Sequence, residues 1–265
     1  MRTMKKHLRI AACYFRLNLA SALEYRASFL SQAFGMALSN SSFIFFWWVA
    51  FSQLGGRIGG YAFEDVLFIW ATCSTLFGLS QVLFGNARRL SALIVSGELD
   101  TFLLQPCNVL LNLVCAHTSL SAYGDIAYGF ILMALSQGGQ AAAWGWFLAA
   151  VVLGALLFTA LTLLAHSVTF WVGNAAVLGD MVTEFVINFS IYPEGIYGPV
   201  IRAIMYSLIP AGLMVHVPLR LARQFTWGWA LALLPLAALY CAAATWVFFR
   251  GLRRYESGNV IVMRQ

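Results

Sequence analysis

The chain has 265 residues, of which 61% are hydrophobic and only 10% are charged. An ordinary soluble domain carries about 25% charged residues, so this composition excludes a typical soluble protein and indicates an integral membrane protein. The net charge is +6, and the positive residues gather at the two chain ends and at Arg88-Arg89. Membrane topology explains such a distribution of charge. Nucleic-acid binding needs a solvated basic surface, which this distribution does not offer. We therefore expect one membrane domain over residues 1–265 that lies in the lipid bilayer and binds no nucleic acid.

The first 26 residues predict an amphipathic helix rather than a signal peptide. Arg16, Glu24 and Arg26 interrupt the apolar stretch that a signal peptide would need. We expect residues 1–26 to lie on the cytoplasmic membrane surface, with their cations facing anionic headgroups. A simple extension of the first membrane span is the alternative.

Several apolar stretches reach the length of about 20 residues that crosses a bilayer. In chain order they are residues 29–51, 66–84, 109–135, 144–171 and 227–249. The arginines that follow the last stretch predict a cytoplasmic carboxyl terminus.

One further crossing is expected between residues 172 and 226, because basic residues at both chain ends require an even number of crossings. Residues 175–191 and residues 200–217 compete for it. The second stretch is more apolar, but Pro210 interrupts it, whereas the first contains Asp180 and Glu184. One span and one re-entrant or interfacial hairpin satisfy the charge distribution, and hydropathy alone leaves their order open.

Three acidic residues in predicted spans are candidates for a transport pathway: Asp125, Asp180 and Glu184. A charge within a span costs about 2.5–3.5 kcal/mol on insertion scales, so it usually faces protein or water. Asp180 and Glu184 are four residues apart and share one helix face. The alternative is that they lie near the cytoplasmic interface or pair with an arginine of a partner protein.

The motifs of common nucleotide-binding and catalytic sites are absent. The sequence has no GxxxxGK[ST], so the chain cannot bind ATP through a P-loop of its own, and it has no HExxH, GxSxG or GxGxxG. His117 and His166 fall in predicted spans, where hydrogen bonds to neighbouring helices explain them better than haem ligation does. We expect neither enzymatic activity nor a bound cofactor.

Residues 88–106 form the most specific stretch of the sequence. Gly97 predicts the end of a short helix, since glycine accepts the left-handed conformation that closes one. Glu98 and Asp100 predict a second short turn that ends before Pro106. Two short helices that protrude from a membrane domain are suited to contact with a soluble partner.

The run IVSGELDTFLLQP, residues 94–106, resembles the cytoplasmic loop of ABC-2 type transporter permeases, in a subfamily that typically has I-x-x-G-x-L-D-x-x-L-L-x-P. The tail GLRRYESGN, residues 251–259, resembles the ending of that subfamily, and residues 190–211 resemble its stretch before the last helix. The similarity extends from about residue 25 to residue 259. Gln105 departs from the pattern, because the subfamily usually has a basic residue there.

The resemblance implies the permease subunit of a bacterial ABC exporter in the inner membrane. It implies an all-α fold with six transmembrane helices, both termini in the cytoplasm and an interfacial helix at residues 1–26. Residues 88–106 would be the cytoplasmic coupling loop, residues 175–191 the fifth span and residues 192–218 an outer re-entrant hairpin. A second permease, identical or related, and two cytoplasmic ATPase subunits that bind ATP and Mg would complete the transporter.

The resemblance also implies which residues couple the chain to the ATPase. The charged ones would make polar contacts and the apolar ones would pack; together they are Arg88, Arg89, Leu93, Ile94, Gly97, Glu98, Leu99 and Asp100. An ion-coupled secondary carrier that uses the three intramembrane acids is the alternative function, and a membrane enzyme or haem protein is a third.

Overall fold

A computed structural model describes residues 2–24, 26–137 and 140–256. The last residues of the tail motif, 257–259, lie outside these ranges. Within them the chain is helical, and the only β pairing is an isolated bridge between Ile58 and Tyr61. The α-helices, in chain order, are α1 (Arg2–Glu24), α2 (Arg26–Gln53), α3 (Phe63–Phe84), α4 (Leu90–Ser96), α5 (Asp100–Leu103), α6 (Val109–Cys115), α7 (Ala122–Gln137), α8 (Ala141–Ser167), α9 (Thr169–Val172), α10 (Ala176–Ile191), α11 (Pro199–Tyr206), α12 (Val217–Arg223) and α13 (Trp227–Leu252). A 3-10 turn at Gly85–Arg89 precedes α4, another at Glu194–Ile196 follows α10, and a π-helical turn at Gly212–His216 precedes α12.

In the described ranges, four helical stretches are long and apolar enough to cross a membrane. They are Arg26–Gln53, Phe63–Ser96, Ala141–Val172 and Trp227–Leu252. Each contains most or all of a predicted span, so the sequence prediction of these apolar helices is confirmed. α7 adds a shorter apolar helix.

The prediction of one continuous third span over residues 109–135 is wrong. The chain forms α6 and α7 there, and residues 116–121 between them are not helical. Asp125 consequently lies in the first turn of α7 rather than in the middle of a long helix.

Hydroxyl side chains explain this interruption. α3 ends at Phe84, so its last carbonyl groups have no partners within the helix. The Thr118 hydroxyl donates to the carbonyl of Val82 at 2.7 Å, and the Ser119 N–H donates to the carbonyl of Gln81 at 3.3 Å. Because the Ser119 N–H donates to α3, it is not available for a helical hydrogen bond within its own segment, and a hydropathy average does not register such contacts.

α3 forms the centre of the bundle. Most of its residues are buried, and it packs against α7, α8 and α10. Glycines allow α3 and α7 to approach closely: a Cβ on Gly78 would lie 2.7 Å from the carbonyl oxygen of Ala122, and one on Gly129 would lie 2.7 Å from that of Ala71. Small residues at contacts are how membrane helices pack, because lipid provides little hydrophobic driving force between them.

α2 and α13 carry an apolar outer surface. Phe34 on α2 is 70% exposed and Trp246 on α13 is 69% exposed. Large exposed apolar surfaces of this kind suit lipid or another protein rather than water.

The amino-terminal helix forms as the sequence predicts and contacts the interruption between α6 and α7. The Asn18 amide donates to the carbonyl of Cys115 at 3.3 Å and to the hydroxyl of Thr118 at 3.0 Å. The Asn18 side chain of α1 thus provides hydrogen bonds to the end of α6 and to the interruption that follows it. Its position on the membrane surface stays a prediction.

The part of the chain in which the sequence left one crossing open, residues 172–226, contains one regular helix and one broken region. Residues 175–191 correspond to α10, whereas residues 200–217 are divided among α11, the π-helical turn and the start of α12. α10 contacts Arg88 near its start, and Glu194 follows its end. Arg220 returns to contact Glu194, so the broken region, residues 192–223, begins and ends on the same side of the bundle.

Two nearly buried carboxylates hold the broken region in place. Glu194 is 6% exposed and accepts hydrogen bonds from the Tyr206 hydroxyl at 2.5 Å and from Arg220 Nε at 3.1 Å. Asp65, in the first turn of α3 and also 6% exposed, accepts from Arg223 Nε at 2.6 Å. A buried charge is tolerated when it is paired and hydrogen-bonded. The contacts of Glu194 close the broken region on itself, and the contact of Asp65 with Arg223 fastens it to the start of α3.

Replacing Glu194 with glutamine (Glu194→Gln) should lower the free energy of unfolding by about 1–2 kcal/mol, because it leaves Arg220 without its anionic partner. The loss is smaller than that of a fully buried pair because the Arg220 side chain is 44% exposed. Thermal unfolding of the purified chain in detergent measures it. Glu64→Gln, an exposed neighbour of Asp65, is the matched control and should leave the midpoint unchanged.

The stability difference between wild type and Glu194→Gln should also depend on pH. Burial opposes the charge on Glu194, but hydrogen bonds from Tyr206 and Arg220 hold the pKa of its carboxyl below the ordinary value. A lowered pKa stabilises the fold at neutral pH, and that contribution is lost as the pH falls through the lowered value. The difference between wild type and Glu194→Gln should therefore shrink in acid. A difference that stays constant with pH would contradict an electrostatic role.

Candidate functional site: the 88–106 segment

The 88–106 segment folds as two short helices joined at a glycine, as the sequence predicts. α4 ends at Ser96, and Gly97 follows with a φ of 77°. This left-handed conformation is accessible to glycine at little cost. The Leu99 N–H donates to the carbonyl of Leu93 at 3.1 Å, which closes α4 and directs the chain into α5.

One side of the segment is buried within the chain. Leu93 is 5% exposed, Ile94 8% and Leu99 0%. They belong to an apolar cluster that includes Leu163 of α8 and Phe248 of α13. The packing of these predicted coupling residues therefore takes place inside the chain, where it fixes the segment against the membrane helices.

The other side of the segment is exposed and combines charge with an apolar corner. Arg89 and Glu98 are exposed, and Asp100 is half-buried. Leu103 is 39% exposed and Leu104 is 86% exposed. A projecting leucine pair among polar groups is typical of a surface that a partner covers.

Arg88 points away from this exposed side and towards α10. Its guanidinium lies 3.3 Å from a carboxylate oxygen of Asp180 and 4.0 Å from one of Glu184. The structure thus brings together three of the predicted residues and gives the two acids an arginine partner. All three side chains are partly exposed, which agrees with a position at the end of the bundle rather than at its centre.

A buried polar cluster joins α4 to the end of α8 and to α9. His166 Nδ1 lies 2.9 Å from the hydroxyl of Ser91, and the Thr169 hydroxyl donates to the same Ser91 oxygen at 2.8 Å. His166 Nε2 lies 4.0 Å from Asp180. Gly179 gives α10 the space to pass the imidazole, because a Cβ there would lie 2.5 Å from the ring. The segment is therefore linked to α8, α9 and α10 at once.

Neither Ser91 nor Thr169 is among the site residues that the sequence predicts, and His166 is predicted only to form a hydrogen bond. The hydrogen bond between His166 and a neighbouring helix is confirmed. A serine in the first turn of a short apolar helix was the available signal, but only the fold reveals its partner.

The two sequence stretches that resemble the permease family meet in space. Tyr255, from the tail, lies against the apolar cluster that contains Leu93, Ile94 and Leu99. Burial, reinforced by the nearby charge of Asp100, raises the pKa of Tyr255 to about 12. The tail thus braces the segment from the side of α13.

Asp125 lies apart from this cluster. Its side chain is buried among α2, α3 and α7, where Asn40 Nδ2 donates to Oδ1 at 2.9 Å. Its other oxygen has no hydrogen-bond partner among the described residues. The acids that a secondary carrier would use are therefore divided between two places, since Asp180 and Glu184 pair with Arg88.

The apolar helices define an integral membrane protein, and the 88–106 segment gives it an exposed surface at one end. The sequence profile described as ABC-2 family transporter protein matches residues 38–258. The match covers most of the chain, so the chain belongs to the ABC-2 transporter family. It confirms the resemblance found in the segment and in the tail. None of the curated proteins and none of the solved structures matches the chain.

Reversing one charge of the Arg88–Asp180 pair should destabilise the chain, and reversing both should restore it. Because both side chains are partly exposed, we expect a coupling energy of about 0.5–1 kcal/mol in a double-mutant cycle of Arg88→Asp and Asp180→Arg. Thermal unfolding in detergent measures the cycle.

Arg89→Asp with Asp180→Arg is the matched control, since Arg89 is exposed and forms no ion pair among the described residues. Rescue of Asp180→Arg by Arg89→Asp to the same extent would show that the effect is general charge balance and not this contact.

Proposed function

We propose that this chain is the permease subunit of an ATP-driven exporter and that separate cytoplasmic ATPase subunits bind its 88–106 segment. The observation that carries the proposal is the two-sided character of the segment. Its buried side packs against α8 and α13, whereas Leu104 and Glu98 remain exposed for a partner. Membership of the ABC-2 family supports an ATPase partner in general.

The proposed assembly contains two permeases, identical or related, and two ATPase subunits. The ATPases hold ATP and Mg, because this sequence has no P-loop. The permease itself binds no cofactor and catalyses no reaction. The apolar exposed faces of α2 and α10, with Phe34 and Val177 among them, would face lipid or the second permease.

The coupling residues acquire distinct roles in this proposal. Arg89 and Glu98 contact the ATPase directly, together with Leu104, which the sequence analysis did not include. Leu93, Ile94 and Leu99 act indirectly, as the buried anchor of the segment. Gly97 supplies the turn between the short helices.

ATP binding draws the two ATPases together, and the 88–106 segment moves with them. Arg88 transmits this movement to α10 through Asp180, and Ser91 transmits it to α8 through His166. Packed helices with paired polar contacts move as units rather than deform continuously, so the pathway between two permeases changes its access. Hydrolysis resets the cycle.

The proposed topology has six crossings in the bacterial inner membrane with both termini in the cytoplasm. α10 is the fifth crossing, supported by its contacts with Arg88 near one end and by Glu194 beyond the other. The broken region is the outer re-entrant hairpin, because non-helical backbone at membrane depth needs a cover of protein. Arg250 and Arg253 keep the end of α13 inside.

Leu104→Glu should reduce co-purification of the ATPase about tenfold, because it places a charge in the apolar corner of the interface. Quantitative mass spectrometry of the affinity-purified complex measures the ratio of ATPase to permease. Leu54→Glu is the matched control, since Leu54 is also well exposed but lies in the loop before α3. Full retention of the ATPase by Leu104→Glu, or equal loss in both variants, would contradict the proposed interface.

Cysteine labelling tests the topology separately. In a background without the five native cysteines, an impermeant maleimide should label Arg202→Cys in intact cells. Ser96→Cys, exposed in the 88–106 segment, should be labelled only after the membrane is permeabilised. The reverse pattern would invert the proposed orientation.

A further inference from the structure

An apolar groove opens between α6, α8 and α13, beside the 88–106 segment. Its volume is about 310 Å³, and its walls include Leu111 and Val114 of α6, Ala160 of α8 and Ala244 of α13. Thr245 lies at its edge and is exposed. In the proposed topology this surface faces the bilayer, where a groove of this composition suits a hydrocarbon chain rather than water.

The groove continues along α13 towards a pair of arginines. Cys241 and Thr245 also belong to an outer surface of α13 that reaches Arg250 and Arg253 at the end of the helix. Residues 241, 245, 249 and 253 are four positions apart and form one inclined row along α13, and Arg250 lies in the neighbouring row. From residue 241 to residue 253 the helix rises about 18 Å, close to the roughly 15 Å depth of hydrocarbon in one leaflet.

The two arginines are not used elsewhere in the described chain. Arg250 and Arg253 are exposed, and neither forms an ion pair with a described residue. Basic residues at the end of a last crossing often reflect topology alone. Here, however, the two arginines lie about one leaflet depth from an apolar groove. The headgroup of an amphiphile therefore has a site at the arginines and its hydrocarbon chain has a site in the groove.

We propose that this groove and the two arginines bind an anionic phospholipid of the cytoplasmic leaflet. Arg250 and Arg253 bind the phosphate, since arginine donates paired hydrogen bonds to phosphate oxygens. One acyl chain follows α13 and enters the groove beside Ala244. The bound lipid supports α6, and thereby the apolar cluster under the 88–106 segment. The inference rests on the proposed topology, which puts this end of α13 in the cytoplasmic leaflet.

Native mass spectrometry of the purified chain, with phosphatidylglycerol or phosphatidylcholine added in detergent, tests the site. Wild type should retain phosphatidylglycerol over phosphatidylcholine by about tenfold, and Arg250→Gln with Arg253→Gln should abolish the preference. Arg254→Gln is the matched control, because Arg254 is exposed but does not belong to this surface of α13. Equal retention of both lipids by wild type, or loss of the preference in the control, would overturn the proposal.

A separate substitution tests the groove itself. Thr245→Trp fills the groove from its exposed edge and should reduce retention of phosphatidylglycerol although both arginines remain. Unchanged retention would remove the groove from the site. Disulfide-linked dimers of Thr245→Cys in native membranes, in the background without native cysteines, would make the groove an interface between copies and also overturn the proposal. If wild type shows no lipid selectivity while the ATPase still co-purifies, this inference is contradicted and the proposed function is not.

Discussion

The interior of a bilayer offers no water to backbone groups, so a chain that crosses it must satisfy those groups with its own atoms. This constraint accounts for polar residues that look misplaced in so apolar a sequence. Thr118 covers a carbonyl at the end of α3, and Asn18 covers one at the end of α6. At the start of α3 the carboxylate of Asp65 accepts the N–H of Ala62 at 2.6 Å. At these three points a polar side chain covers a backbone group that the helix itself leaves unpaired.

Charged residues follow the same logic at the two ends of α10. Arg88 meets Asp180 near its start, and Arg220 meets Glu194 beyond its end. A helix that is fastened at both ends transmits a displacement from one end to the other. In the proposed permease, α10 thus connects the 88–106 segment with the broken region, and no nucleotide site is needed in this chain.

Sequence reasoning predicted the apolar helices and the turn at Gly97 because both depend on local composition and backbone preference. It failed for residues 109–135, because hydroxyl groups that satisfy a neighbouring helix do not lower hydropathy enough to reveal an interruption. It identified Leu93 as part of the coupling loop but could not tell that its side chain faces the bundle. The pairing of Glu194 with Arg220 is likewise a tertiary contact between residues that give no periodic signal.

Affinity purification of the tagged wild-type chain from its native membrane in mild detergent, followed by mass spectrometry and an ATPase assay, tests whether the chain works as a permease with separate ATPases. We expect a stoichiometric ATP-binding subunit and ATP hydrolysis in the purified complex, since the 88–106 segment leaves Leu104 exposed for a partner. A lone oligomer without ATPase, under conditions that preserve other ABC assemblies, would contradict the proposed function. The ion-coupled carrier, with Asp125, Asp180 and Glu184 as its residues, would then be the function to test.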